Sequence, residues 1–179
     1  MKKILALIIL ALIWSNVGSA SEFEWIKNQT EFKNSNKLLY WDKSKRFETF
    51  LRANMTTKEY SVDNLIESMS HPQYPIKYLD NKKYVIIDSC MYKFCTQKGL
   101  VFIDTINKEI IGTYLWEERR GTETNSIVMI IASKNHETYN KLPKTFFKTI
   151  EDWKKENNLD QRPVILEFIG KDDRVQKIK

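Results

Sequence analysis

Tyr84-Val85-Ile86-Ile87-Asp88, then Cys90-Met91-Tyr92-Lys93-Phe94-Cys95, then Leu100-Val101-Phe102-Ile103-Asp104 decide the fold of this chain. The two outer runs are short, β-branched and aromatic, which reads as a pair of strands. The inner stretch holds the only two cysteines of the sequence. In an exported chain these pair with each other or with another molecule, and a closed Cys-x4-Cys loop at the end of a hairpin is the expectation. Such a loop presents Met91, Tyr92, Lys93 and Phe94 on a short staple, which makes them the candidate partner-binding residues. The same loop with no partner is an inert staple.

Toward the C-terminus, Thr105-Ile106-Asn107-Lys108-Glu109 supplies turn chemistry and Ile110–Trp116 reads as a third strand. Glu117–Asn125 is polar with Gly121 inside it. Ser126–Ala132 is a fourth strand, apolar enough from Ile127 to Ile131 to lie centrally or be covered on both faces. Three tight connections in a row predict an antiparallel meander. Lys134–Leu142 reads as a loop. Pro143 stands where a first helical turn accepts it, and Phe146, Phe147, Ile150 and Trp153 trace an apolar stripe that ends near Asn157 and Asn158. Pro163–Ile169 reads as a fifth strand, at an edge or beside the meander, and the charged Gly170–Lys179 is expected to fray.

Toward the N-terminus, Phe47, Phe50, Leu51 and Met55 recur at helical spacing, predicting a helix from about Lys43 to Asn54 with Asp42 or Ser44 as its cap. Val62, Leu65, Ile66 and Met69 fall on one face of a second short helix, which the prolines of Ser70-His71-Pro72-Gln73-Tyr74-Pro75 end. Ser21–Tyr40 has no sustained period and reads as irregular, with at most a short helix around Phe23–Lys27. The fold class is therefore α+β: a single antiparallel sheet of about five strands with helices packed on one face.

Lys2 and Lys3 precede an apolar run from Ile4 to Trp14, and Gly18 and Ala20 follow it. This basic, apolar, small-residue order is that of a secretory signal peptide over residues 1–20, with cleavage between Ala20 and Ser21. The apolar run is short of the ~20 residues of a membrane span, so no stable membrane insertion is expected after cleavage. Residues 21–179 then make one domain, large enough to bury a core. Without Lys2 and Lys3, 27 basic side chains face 23 acidic ones, and no basic block exceeds a pair such as Arg119-Arg120 or Lys154-Lys155. That pattern gives no nucleic-acid footprint and reads as a solvated basic surface, with a leaning toward acidic partners.

Catalytic chemistry finds little support. The two histidines, His71 and His136, have no cysteine or second histidine at ligand spacing, so no metal is expected and both read as surface residues. A nucleophile at Cys90 or Cys95 needs one free, low-pKa thiol, which export disfavours, and the four-residue spacing is not the Cys-x-x-Cys of a redox site. Glu117-Glu118 and Asp172-Asp173, with Asp88 and Asp104 at strand ends, read as solvated charge. No glycine-rich phosphate loop is present, and Asn28-Gln29-Thr30 and Asn54-Met55-Thr56 match a glycosylation pattern that chance also produces. No cofactor and no enzymatic activity are expected.

The arrangement Tyr84-x5-Cys90-x4-Cys95, a strand, a turn and then Ile110-Ile111-Gly112-Thr113-Tyr114-Leu115 resembles the Ivy family, the periplasmic inhibitors of vertebrate-type lysozyme. The resemblance covers about Tyr84–Trp116. It implies a central antiparallel sheet with helices on one side, a disulfide between Cys90 and Cys95, and a loop that protrudes into the lysozyme cleft. The family's loop reads Cys-Lys-Pro-His-Asp-Cys, and its histidine meets the enzyme's catalytic carboxylates. Here Lys93 stands at the place of that histidine, and the family's proline and aspartate are missing. A lysine there still offers a charge-assisted contact to a catalytic Glu or Asp.

The function these readings lead to is a periplasmic or secreted proteinaceous inhibitor of a lysozyme-type cell-wall glycosidase, acting through the Cys90–Cys95 loop. The alternative is an immunity or other protein-binding module on the same scaffold that neutralises a delivered bacterial toxin. Monomer and homodimer are both compatible with the sequence.

Overall fold

A computed structural model describes residues 23–27, 45–56, 58–70, 76–120, 123–161 and 163–178. The signal-peptide reading, the caps Asp42 and Ser44, and the helix stop at His71–Pro75 lie outside the described residues.

Helix α1 spans residues 23–27, α2 Arg46–Asn54 and α3 Glu59–Ser68. Seven strands follow: β1 (Lys77–Leu79), β2 (Tyr84–Met91), β3 (Phe94–Asp104), β4 (Glu109–Arg120), β5 (Glu123–Ala132), β6 (Val164–Ile169) and β7 (Val175–Ile178). Helix α4, Lys144–Glu156, lies between β5 and β6. The strands form one sheet in sequence order, and every pairing is antiparallel except β5 with β6.

The α+β class and the β2–β5 meander are as the sequence predicts, but the sheet is mixed and seven-stranded rather than antiparallel and five-stranded. The parallel pair arises because α4 and its flanking loops carry the chain back along the sheet, so β6 enters in the direction of β5. The C-terminal segment does not fray. Its Gln176 and Ile178 point inward while Val175 and Lys177 point out, and this period of two pairs it with β6. The polar stretch after Trp116 is not a connector either, for β4 and β5 stay paired as far as Arg120↔Glu123. A ladder held by backbone hydrogen bonds needs no apolar side chains to continue.

Helices cover both faces, not one. On the first face α1, α2 and α3 bury Phe23, Ile26, Phe47, Leu51 and Leu65 against Val85, Ile87, Val101, Ile103 and Tyr114. On the second, α4 buries Phe146, Ile150 and Trp153 against Tyr84, Ile86, Leu100, Phe102 and Ile111. Residues 84–87 alternate between the two cores, as the strand period requires. With both faces covered, the strands read as continuous apolar runs, and continuity conceals which helix goes where.

Gly99 sets how closely α3 approaches the sheet. A Cβ there would stand 2.5 Å from Met69 Cγ and 3.3 Å from Ser68 Cβ, so the end of α3 rests on the bare backbone of β3. Gly99→Ala is expected to destabilise the protein by about 1 kcal/mol through overpacking. Urea denaturation checks this, and an unchanged midpoint at unchanged slope would show that Met69 moves aside freely.

Candidate functional site

β2 and β3 keep one register from Tyr84↔Asp104 to Cys90↔Lys98, and then it shifts to a last pair, Met91↔Phe94. Residues 95–97 of β3 therefore form a bulge at this register shift, which bends the hairpin end relative to the sheet. In the register of the tip, the residue across from Cys90 is Cys95. The two form a disulfide with Cα atoms 4.8 Å apart. The bridge thus closes the tip at the point where the ladder changes register.

Tyr92 and Lys93 make the turn, and Lys93 holds a left-handed backbone with φ of 66°. A non-glycine residue there costs roughly 1–2 kcal/mol, which the closed staple and its anchors must offset. Two anchors come from the end of α3: the Tyr92 backbone N–H donates to Ser70 Oγ at 2.9 Å, and Ser89 Oγ donates to the Met69 carbonyl at 3.1 Å. The tip is braced from behind by the segment that Gly99 admits.

Of the four inner residues, Met91 is half-buried while Tyr92, Lys93 and Phe94 are exposed, the aromatics at 48% and 58%. Lys93 Nζ lies 5.4 Å from the Tyr92 ring centroid, so the cation and one aromatic share a position at the crest. A further aromatic belongs to this end of the sheet. Trp116, 45% exposed, stands on β4 two residues past the last β3–β4 pair, Gly99↔Tyr114. Sequence reading takes Trp116 only as the end of a strand. Its alternation with the buried Tyr114 places it on the face that α1–α3 cover, beyond the end of the β3–β4 ladder.

Asp88 is not solvated charge at a strand end. β2 runs on to Met91, so Asp88 lies inside the strand on the α4 face with only 4% of its surface exposed. It lines a cleft of about 190 Å³ between β1, β2, β3 and α4, with Ile86, Leu100, Leu79 and Trp153 as apolar walls and Lys77, Asp152 and Glu156 among its polar ones. Lys77 Nζ pairs with Glu156 Oε2 at 3.1 Å across the rim. Burial pushes the Asp88 carboxyl above the ordinary range, with Lys77 opposing the shift, and burial likewise lowers the Lys98 ammonium diagonal to it. Period-two alternation with Tyr84 and Ile86 is the signal in the sequence that places Asp88 on this face.

Asp104 is likewise buried rather than solvated, for its Oδ1 accepts the Ile106 and Asn107 backbone N–H groups at 2.9 Å and so holds the β3–β4 turn. His136 is a clamp more than a surface residue. Its Nδ1 shares a hydrogen bond with Ser133 Oγ at 3.0 Å, and its carbonyl accepts the Lys171 N–H at 2.8 Å. His71 lies outside the described residues. Among the described residues no three of His, Cys, Asp and Glu are grouped so as to hold a metal ion, and no helix is long and apolar enough to cross a membrane. No family model, no curated protein and no solved structure matches this chain.

Proposed function

We propose that this chain is an exported, periplasmic inhibitor of a lysozyme-type cell-wall glycosidase that enters the enzyme's cleft with the tip at Cys90–Cys95. The observation that carries the reading is the tip itself: Tyr92 and Lys93 exposed on a two-residue turn, with Phe94 exposed where β3 begins, all closed by a disulfide and anchored to Ser70. A rigid projection loses little conformational entropy on binding, and two aromatics around a cation supply the kind of anchors that dominate interfaces. A glycosidase cleft holds paired carboxylates, which favour an inserted ammonium group. The disulfide suits an oxidising compartment.

Titration of a vertebrate-type lysozyme with residues 21–179, under non-reducing conditions, tests the proposal. The protein is expected to inhibit stoichiometrically, and Lys93→Gln is expected to weaken inhibition about tenfold or more, the loss of one charge-assisted contact. Glutamine keeps the left-handed residue non-glycine, so the turn is equally strained in both proteins and only the charge differs. Absence of inhibition across lysozyme-type muramidases would overturn the reading.

Trp116 favours a second reading. An exposed tryptophan at the same end of the sheet widens the surface beyond what a narrow cleft accepts, and a broad aromatic surface suits a protein module that caps a delivered toxin. Sensitivity of a strain lacking the gene to neighbouring cells, together with intact lysozyme activity in the presence of the protein, would decide for it.

A further inference from the structure

We propose that the cleft between β1–β3 and α4 is a second binding site, which takes a guanidinium or primary ammonium group carried on a short apolar stem. This site stands apart from the tip and does not depend on the function assigned to it. Asp88 Oδ1 is buried with no hydrogen-bond partner among the described residues. A buried acceptor left unpaired costs about 1–3 kcal/mol, so a donor that reaches it recovers that loss. The walls dictate what carries the donor. Ile86, Leu100, Leu79 and Trp153 are apolar and suit methylene groups, whereas a hydrated inorganic cation would meet them unfavourably.

Charge selects the sign. Among the described residues, Asp88, Asp152 and Glu156 line the cleft with one cation, Lys77, which Glu156 already engages, while Lys98 acts on Asp88 from β3 without lining the cleft. The cleft is thus an acidic recess in a chain whose formal net charge is +6. Size excludes larger ligands, because about 190 Å³ falls below the roughly 300–1,000 Å³ of sites that enclose a whole drug-sized molecule. One butyl-length side chain with a planar head matches the space, and a guanidinium offers the carboxylate a forked pair of donors. The groups facing Asp88 are Lys77 from β1, Lys98 from β3, and Asp152 and Glu156 from α4. Because burial holds the Asp88 proton more firmly than in water, affinity for the cation falls as pH drops through its raised pKa.

The oxidised protein titrated with butylguanidinium, followed by amide and indole nuclear magnetic resonance shifts, provides the test. Saturable shifts are expected at Ile86, Leu100 and the Trp153 indole N–H. Butylurea, the neutral isostere, is expected to bind at least tenfold more weakly, and Asp88→Asn to weaken butylguanidinium by a similar factor. Asp152→Asn, on the rim, is expected to weaken it two- to threefold and guards against a failure of Asp88→Asn to fold. Acetyl-arginine-methylamide separates the sources: binding equal to that of butylguanidinium means a basic side chain of a partner, and binding of butylguanidinium alone means a free small amine or guanidine. No saturable shift, or equal binding of butylguanidinium and butylurea, would overturn the proposal.

Discussion

Phe146→Ala is expected to lower the unfolding free energy by about 3–5 kcal/mol, the usual cost of truncating a buried phenylalanine. Phe146 is fully buried, and its ring meets Phe102 edge-on at 5.6 Å, with Tyr84 tilted against Phe102 at 5.2 Å. This line of rings joins α4 to the start of β2 and the end of β3. The sheet face beneath has few other cores to draw on, since α4 alone among the described helices supplies the cluster that includes Leu115, Met129 and Phe168. A cavity at Phe146 therefore loosens the crossover that seats β6 parallel to β5. Chemical denaturation checks the magnitude, and a loss below about 1 kcal/mol would mean that Phe147 swings into the space. Native-state hydrogen exchange adds a second readout: amides of β6 and β7 should lose protection before those of β2.

Reduction of the Cys90–Cys95 disulfide is expected to cost about 2 kcal/mol of stability on the chain-entropy relation for so short a loop. The expected loss is small because the loop is short. Its location matters more. The bridge spans the register shift between Cys90↔Lys98 and Met91↔Phe94, so the reduced tip is free to sample the register of the body of the hairpin. Oxidised and reduced protein compared by urea denaturation give the stability term, and the hydrogen exchange of the Tyr92 N–H, now donated to Ser70, reports the tip. Equal midpoints for the two forms would show that the Ser70 and Ser89 anchors suffice without the bridge. Inhibition that survives reduction undiminished would count against rigidity as the source of binding.

Much of the scaffold was legible in the residues. The runs around Tyr84, Leu100, Ile110 and Ile127 are strands, and Phe146, Ile150 and Trp153 do form one buried stripe of a helix, because local periodicity is a direct imprint of which side is covered. The Cys90–Cys95 disulfide was legible for a similar local reason, since the only cysteines stand five residues apart in sequence, within reach of each other. Strand count was less legible. Lys77–Leu79 and Val175–Ile178 are edge strands of three and four residues, too short for their alternation to stand out, and an edge pairs through its backbone.

What the sequence by itself determined is the alternation within each strand, the amphipathic face of each helix, and the close spacing of the cysteines, all set by neighbours a few residues apart. Only the tertiary structure decided that α1–α3 and α4 take opposite faces, that β6 enters parallel, and that Asp88 is buried in a cleft beside α4 rather than hydrated. It also decided that Trp116 stays open beyond the end of the β3–β4 ladder. Each of these depends on which distant segment covers a given surface, and burial is a property of that covering and not of the residue covered.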